Sequence, residues 1–440
     1  MPRFIPLVVL PNPGGSHVGS WRLKSAGLKN IFDVDVWKHV AQAAERARID
    51  ALFMADLVAL WPAREELRHL TPHVGMPEAL TLLSALAMVT THIGLIATGH
   101  TEYGAPYNLA RQIATLDYIS KGRAGWNIVT SSGSEQAQNF GKETQDSTET
   151  RYARAEEFVE VVKGLWDSWE DDAYVRDKAS GVFYDPSKLH VLSHTGDHYK
   201  VRGPLNIMRP PQGYPVLAQA GSSGPGIQLA ARVGEVIYTP LSGDSARAYR
   251  DKVRGLAKSM GRDPNSVKIL ARIGTLVAHS NAEAEAMWRE LQSVTQPDLA
   301  RISIESMLGI DLGGLPLDAP LPPNVQTNIR VTGYHDAVMD YIREKNPTVR
   351  ELILNYKGPG LITGTPDIIA DHMEREVDSG AVDGFVITGP SMPEDLDRFF
   401  DRVIPELRRR GRVRTEYAGR TLRENLGLPR PANQFSSASQ

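Results

Sequence analysis

The sequence GRAGWNIVTS at residues 122–131 places polar groups at the end of an apolar run. Asn127 and Ser131 carry amide and hydroxyl groups, which can hydrogen-bond a ligand or stabilise charge that develops during a reaction. The same run also fits a buried strand whose end is capped by hydroxyls. It marks a candidate reactive site with Asn127 and Ser131 as its polar groups.

A second candidate lies at residues 215–226, PVLAQAGSSGPG, which read as a strand, a turn of small residues and a helix start. Backbone N–H groups and the hydroxyls of Ser222 and Ser223 at a helix N-terminus suit a phosphate. A plain N-cap followed by proline explains the same residues. The glycine order is not GxGxxG and no acidic ribose anchor is placed, so we expect no built-in nicotinamide site.

Three further polar residues follow apolar runs near the start of the chain. Asp56 ends one run, where it is either a ligand contact or a helix cap. Thr101 lies in a stretch of small and polar residues at 97–103 that also fits an ordinary loop. His17 lies in a glycine-containing loop and either donates a hydrogen bond or proton to a ligand or orders its own turn.

The spacing of His190, His194 and His198 suggests a metal site, because residues four positions apart would lie on one face if the segment were a helix. The turn residues at 195–197 and the strand-like residues at 199–201 argue against a helix there. We therefore expect no metal site.

The elements that position these residues alternate between short apolar runs and amphipathic helical patterns, which indicates β-α units around a parallel sheet. A helix at Arg151–Trp169 shows the clearest buried stripe. Eight strands are predicted, at Ile5–Leu10, Ala51–Ala55, Ile93–Thr98, Arg123–Val129, Val216–Ala220, Val236–Tyr238, Ile269–Ala278 and Gly384–Ile387.

Eight such units suggest a TIM (β/α)8 barrel, with an open doubly wound sheet as the alternative. Two segments depart from the repeat, at about 171–215 and 296–350, and are predicted to be insertions. Residues 431–440 end in SSASQ and are predicted to be a disordered tail.

Composition limits the classes of protein that fit. The 440 residues carry 49 Lys and Arg against 52 Asp and Glu, and basic residues do not interleave with aromatics, so we expect no nucleic-acid partner. The chain has no cysteine, which excludes disulfides and thiolate chemistry and agrees with a reducing compartment. No apolar stretch approaches ~18 residues and no signal peptide is evident, so we expect a cytoplasmic protein without a membrane partner.

Several long motifs resemble those of the bacterial-luciferase-like flavin monooxygenases. GRAGWNIVTS, Asn139–Gly141 and RYARAEEF at 151–158 are similar to the branch of nitrilotriacetate, EDTA and dibenzothiophene-sulfone monooxygenases and pristinamycin IIA synthase. Further matches at 107–111, 414–417 and 421–427 extend the resemblance over nearly the whole chain. It implies a luciferase-like α/β TIM barrel with insertions, as a single domain over residues 1–430.

The resemblance also implies roles for the candidate residues. Tyr152 with Ser222 or Ser223 would hold the 5′-phosphate of FMN, and Asp56 and Thr101 would complete the cofactor site. His17, Asn127 and Ser131 would lie at the reactive face as catalytic candidates. His100 and Glu102 replace smaller residues and would shape a distinct substrate pocket. Thr148 stands where the family usually has a histidine four residues before the tyrosine, which leaves cofactor affinity and substrate class open.

The implied activity is that of a two-component monooxygenase that receives FMNH2 from a separate NAD(P)H:flavin reductase and uses O2 as co-substrate. One oxygen atom would enter a small organic substrate while the other leaves as water. The protein would hold the isoalloxazine, exclude water and position the substrate. Carbon–nitrogen cleavage, carbon–sulfur cleavage and heterocycle oxidation all occur in the branch, and a homo-oligomer is expected by analogy.

Three other functions remain open from the sequence. A deazaflavin (F420)-dependent hydride-transfer oxidoreductase would share the barrel without inserting oxygen. A metal-dependent barrel hydrolase would need a ligand cluster, and a non-catalytic flavin-binding barrel would bind FMN without reacting.

Overall fold

Eight parallel strands close into a barrel in the computed structural model, which describes residues 4–27, 29–61, 64–131, 133–308, 312–321, 332–357 and 360–436. The strands in chain order are β1 (Leu7–Val9), β2 (Ala51–Met54), β3 (Gly94–His100), β4 (Ala124–Val129), β5 (His194–Thr195), β6 (Lys200–Val201), β7 (Val216–Gln219), β8 (Val236–Thr239), β9 (Lys268–Val277), β10 (Leu361–Gly364) and β11 (Gly384–Thr388). The barrel order is β1-β2-β3-β4-β7-β8-β9-β11, and β11 returns to β1. The predicted α/β TIM barrel is confirmed.

Helices cover the outside of this barrel. They are α1 (Val34–Arg46), α2 (Ala79–Ala87), α3 (Pro106–Ile119), α4 (Ser134–Gln138), α5 (Thr148–Trp166), α6 (Gly224–Val233), α7 (Gly243–Ser259), α8 (Asn281–Ser293), α9 (Pro297–Leu308), α10 (Thr332–Lys345), α11 (Val349–Asn355), α12 (Pro366–Asp378), α13 (Glu394–Arg398), α14 (Ile404–Arg409) and α15 (Leu422–Leu426). A π-helical segment at Phe399–Val403 joins α13 to α14. Within the described residues, no helix is both long and apolar enough to cross a membrane.

The barrel interior is filled by side chains from all around the sheet, because each short strand is apolar on both faces. This inner cluster includes Val8, Phe53, Ile96, Leu270 and Val386. The helix α15 adds Leu422 and Leu426 to the same cluster. The backbone N–H of Leu422 bonds the carbonyl of Gly122, which lies two residues before β4, so α15 closes the amino-terminal end of the barrel.

Helix starts differ from the predicted boundaries for identifiable reasons. The helix α5 begins at Thr148 rather than at Arg151 because the Ser147 hydroxyl accepts the Thr150 N–H and caps it. The helix α3 begins at Pro106, ahead of the start that the sequence predicts at Leu109, because the missing N–H of proline costs nothing in the first turn.

The strand β10 was not predicted. It pairs with the second half of β9, from Gly274 to Val277, and this pairing begins at Gly274, where the pairing of β9 with its barrel neighbour β11 ends. Its four residues, Leu-Ile-Thr-Gly, are too few to stand out as an apolar run. The barrel thus carries a ninth strand at its carboxyl rim.

The two predicted insertions lie in different places. Segment 171–215 follows α5, not a strand, and runs along the outside of the barrel, where the hydroxyls of Tyr107 and Tyr118 bond the carbonyls of Pro204 and Arg209. Segment 296–350 contains α9 and α10, and Leu299 of α9 packs on Val18 and Leu67. Because those two residues follow β1 and β2, α9 covers the carboxyl end of the barrel.

The beginning of the predicted tail is packed rather than disordered. The Asn433 amide donates to the carbonyls of Asp167 and Trp169 at 3.0 and 2.9 Å. The ring of Phe435 stacks on His190 with centroids 4.8 Å apart. Residues 437–440 lie outside the described residues.

Candidate active site

A cleft of about 1010 Å³ opens at the carboxyl ends of β2, β3, β4 and β7. This is the end at which TIM barrels place their active sites, and the volume is that of a cofactor-sized pocket. Five of the eight predicted site residues line it, namely Asp56, Ser131, Tyr152, Ser222 and Ser223. The strand ends bring these residues together although they are spread over 168 positions of the sequence, from 56 to 223.

A polar cluster forms where β2, β3 and β4 end. Nδ1 of His100 lies 2.8 Å from the Ser131 hydroxyl, and Nε2 of the same ring lies 3.8 Å from a carboxylate oxygen of Asp56. The side chains of His100 and Asp56 are only 11% and 12% exposed. The imidazole thus lies between a hydroxyl and a carboxylate, and little of its side chain is exposed to solvent. The sequence had pointed to His100 only as a residue that shapes a pocket.

Ser131 is held in place through its backbone. Its φ of 54° is in the left-handed region, which few non-glycine residues adopt. The Arg151 guanidinium donates to the carbonyl oxygens of Ser131 and of Thr130 and also to the Thr148 hydroxyl. Thr148 lines the cleft as well, so the position where a histidine was expected is a hydroxyl fixed by arginine.

The other end of the cleft is the start of α6. The Ser223 hydroxyl caps this helix by accepting the Gly226 N–H at 3.2 Å, and the Tyr249 hydroxyl donates to the Gly221 carbonyl at 2.8 Å. A Cβ on Gly221 would lie 2.3 Å from Nε2 of Gln219 and 3.0 Å from the Tyr152 hydroxyl. Glycine is therefore required for this close approach of the turn to Tyr152. The turn presents hydroxyls and a helix N-terminus to the cleft, which suits an anion.

Among the described residues of the cleft, the buried polar atoms that lack a hydrogen-bond partner include His100 Nε2 and Gln219 Oε1. Buried polar atoms normally find partners, because each unsatisfied one costs about 1–3 kcal/mol. A bound ligand with both donors and acceptors would satisfy them. Gln219 was missed from the sequence, and its signal was its place next to the carboxyl end of the strand predicted at Val216–Ala220.

Thr101 and Asn127 do not line the cleft. The Thr101 side chain is fully buried and its hydroxyl donates to the Val129 carbonyl at 3.1 Å. The Asn127 amide lies two residues below the rim of β4 and donates to the Thr98 hydroxyl at 2.9 Å. Both residues lie outside the lining of the cleft, and their roles at the cofactor and at the reactive face stay predictions.

His17 lies apart from the cleft, in a smaller cavity below α9. Its Nδ1 accepts the Gly19 N–H at 3.2 Å, which leaves the proton of a neutral ring on Nε2. Burial and the neighbouring His73 lower the pKa of His17 to about 4. A Cβ on Gly15 would lie 2.1 Å from the Pro390 carbonyl, so glycine lets this loop dock against the residues after β11.

The three histidines at 190, 194 and 198 are spread over an extended segment. His190 pairs with Glu170 at 2.8 Å and His194 with Glu157 at 3.0 Å, and His194 belongs to the β5–β6 hairpin. Across the described ranges, no group of three histidine or acidic side chains is arranged to hold a metal ion.

A closed parallel barrel with a dry polar cleft and a helix N-terminus at its carboxyl rim defines a cofactor-binding barrel enzyme. The family model of luciferase-like monooxygenases matches residues 12–383, and the chain belongs to this family. The resemblance noted in the sequence is confirmed, and the protein is a flavin-dependent monooxygenase.

Three similar proteins cover nearly the whole chain. The N-acetyl-S-(2-succino)cysteine monooxygenase of Bacillus subtilis (strain 168) is 43% identical, with 96% of each chain covered. The nitrilotriacetate monooxygenase component A of Aminobacter aminovorans is 41% identical over 97% of this chain and 96% of that protein. A solved riboflavin lyase structure with modified FMN and riboflavin has a TM-score of 0.82 and 30% identity, covering 97% of this chain and 96% of that one.

Proposed function

We propose that this protein is the oxygenase of a two-component system that takes FMNH2 from a separate NAD(P)H:flavin reductase and uses O2 to oxidise a small organic substrate. The observation that carries the proposal is the cleft between Asp56 and Ser223, with the unpartnered ring nitrogen of His100 at one end and a helix N-terminus at the other. A relative named as component A and a similar structure with modified FMN support it.

FMN fits the residues present. Its phosphate would bind at the start of α6, where Ser222, Ser223 and the Tyr152 hydroxyl meet. Its ring carries carbonyl oxygens and an N–H group, which match the unpartnered atoms of His100 and Gln219. When bound in its reduced form, FMN supplies the two electrons that activate O2.

The polar cluster beside Ser131 is suited to holding a proton. The Ser131 hydroxyl contacts Nδ1 on one edge of the His100 ring. The Asp56 carboxylate lies near Nε2, on the opposite edge. A histidine oriented by a neighbouring group can donate or accept a proton at its other nitrogen. His100 is therefore assigned the proton-handling role, with Ser131 and Asp56 as positioning residues.

The connection after β4 helps to exclude water from the cleft. The Asn139 amide donates to the Val58 carbonyl at 2.8 Å, and Glu135 pairs with Arg68 at 2.9 Å. These contacts tie the segment that contains α4 to the connection after β2. By holding this side of the cleft together, the contacts would limit the access of water to the bound flavin and so the unproductive release of peroxide.

The proposal is tested by comparing FMNH2 with a reduced deazaflavin such as F420. Anaerobic titration should give tight binding of FMNH2, and single turnover with ¹⁸O2 and a panel of amines, thioethers, sulfones and heterocycles should yield one labelled product. Tight binding of the deazaflavin with hydride transfer and no label would instead support the F420-dependent alternative. Binding of FMN without any oxygen incorporation would favour a non-catalytic flavin protein.

The two-component arrangement is tested separately. Addition of NADPH or NADH alone should leave bound FMN oxidised, whereas a flavin reductase added with the nicotinamide should start turnover. Direct reduction of the bound FMN by a nicotinamide would contradict the proposal.

A further inference from the structure

The cavity that contains His17 is distinct from the cofactor cleft. It has a volume of about 180 Å³ and lies between β9, the loops after β1 and β11, and the helices α9 and α11. No residue that lines it also lines the cleft, within the described part of the chain. A cavity of about 150 Å³ holds a benzene molecule, so this one accommodates a small organic group but not FMN.

Among the described residues that line this cavity, Arg272 carries a charged side chain without a hydrogen-bond or ion-pair partner. It lies on β9 two residues beyond Leu270, which belongs to the inner barrel cluster, so its side chain starts on the inner face of the barrel mouth. The side chain is partly buried and lines the cavity. It forms no hydrogen bond or ion pair with any residue that the structure describes.

The surroundings of Arg272 do not compensate its charge. Burial lowers the pKa of His73 and the charge of Arg272 lowers it further, while burial lowers the pKa of His17. Both histidines are therefore neutral near pH 7. No Asp or Glu occurs among the described residues that line the cavity, and the one lysine there, Lys357, is paired with Glu285 at 2.5 Å.

The rest of the cavity wall supplies one more donor and an apolar surface. The Nε2–H of His17 is available, because Nδ1 already accepts the Gly19 N–H. Trp288, Ile304, Ile353 and Leu361 form the apolar part of the wall. Placing a guanidinium partly out of water without a counter-ion costs free energy. A bound anion would offset this cost by pairing with the charge.

We propose that Arg272 binds a carboxylate of the substrate, and that the substrate is a small organic acid with an apolar portion that packs on Trp288. This inference rests on the proposed function, because it assigns the substrate class of the same enzyme. The guanidinium can hold a carboxylate through two parallel N–H···O bonds, and Nε2 of His17 adds a third donor. Uncharged analogues would leave Arg272 unpaired and are rejected.

The test uses binding rather than turnover. Succinate and phenylsuccinate would be titrated into the FMN-loaded wild-type protein by calorimetry and by tryptophan fluorescence, each against its uncharged diamide. We expect saturable binding of at least one acid, with the diamides at least about tenfold weaker. Arg272→Met and Arg272→Gln should weaken the acid by about tenfold or more, whereas Arg272→Lys should retain part of the affinity.

A matched control is Arg289→Met, which removes a positive charge from the exposed face of α8 next to Trp288. It should leave the binding of both acids unchanged. Equal affinity for acids and diamides, no binding of either acid, or an unchanged affinity in the folded Arg272 variants would overturn the inference. A loss of FMN affinity of tenfold or more in Arg272→Met would also overturn it, because the arginine would then serve the cofactor. Failure of the wild-type protein to bind FMN would contradict the proposed function, and this outcome is separate from the result for Arg272.

Discussion

The imidazole of His100 and the hydroxyl of Ser131 are 2.8 Å apart at the ends of two neighbouring strands, β3 and β4. Hydroxyl and ring come from positions 31 residues apart in sequence, and the parallel register of the barrel brings them together. The contact with Ser131 orients the ring, and the Asp56 carboxylate lies 3.8 Å from the other ring nitrogen, beyond hydrogen-bond distance. We propose that the oxygenation step depends on this orientation.

Replacing His100 by asparagine should lower oxygenation turnover by about 10²-fold or more, since general acid–base groups contribute on this scale. Ser131→Gly should lower it less, because glycine keeps the left-handed backbone while removing the hydroxyl. Turnover would be measured as ¹⁸O-labelled product in a single cycle, together with the FMN dissociation constant. His190→Asn, outside the cleft, is the control and should be unaffected. Unchanged turnover in His100→Asn would contradict the assignment.

Gly221→Ala should weaken FMN binding by about tenfold or more and lower the thermal stability. The added methyl would lie 2.3 Å from Gln219 and 3.0 Å from the Tyr152 hydroxyl, so the turn that faces the phosphate must move. Flavin fluorescence quenching and thermal unfolding measure the two effects. Gly255→Ala in α7 is the control, because a Cβ there meets nothing within 4 Å and the residue lies outside the cleft. Equal FMN affinities in the two variants would show that the turn does not contact the cofactor.

The sequence was sufficient for the barrel and for much of the cleft. Apolar runs identify the barrel strands, and polar residues directly after them, such as Asp56 and Ser131, meet at one rim because parallel strands end together. Thr101, which the resemblance predicts at the cofactor, has a buried side chain that bonds Val129 and does not line the cleft, since sequence alone does not fix the direction of a side chain in a loop. The unpaired state of Arg272 depends on every neighbouring element, so no local pattern predicts it.

The low pKa of His17 predicts a loss of stability in acid. The folded pKa of about 4 lies below the usual 6.5, so between these values the unfolded chain binds more protons, and stability falls as the pH falls. The contribution of this residue amounts to up to about 3 kcal/mol between pH 6.5 and 4. Denaturant unfolding of wild type and His17→Gln across this range measures it. The stability advantage of the wild type should shrink as pH decreases, and parallel curves would contradict the buried neutral state.

Tyr152→Phe should separate recognition of the phosphate from recognition of the flavin ring. The Tyr152 hydroxyl faces the turn at Gly221 and the first residues of α6, and it is proposed to donate to the FMN phosphate. A hydrogen bond to a charged group contributes about 1.5–3 kcal/mol, so FMN affinity should fall by about tenfold or more. Riboflavin has the same ring and no phosphate, so its affinity should stay within about twofold. An equal loss for both ligands would place Tyr152 at the ring, and no loss for either would remove it from the cofactor site.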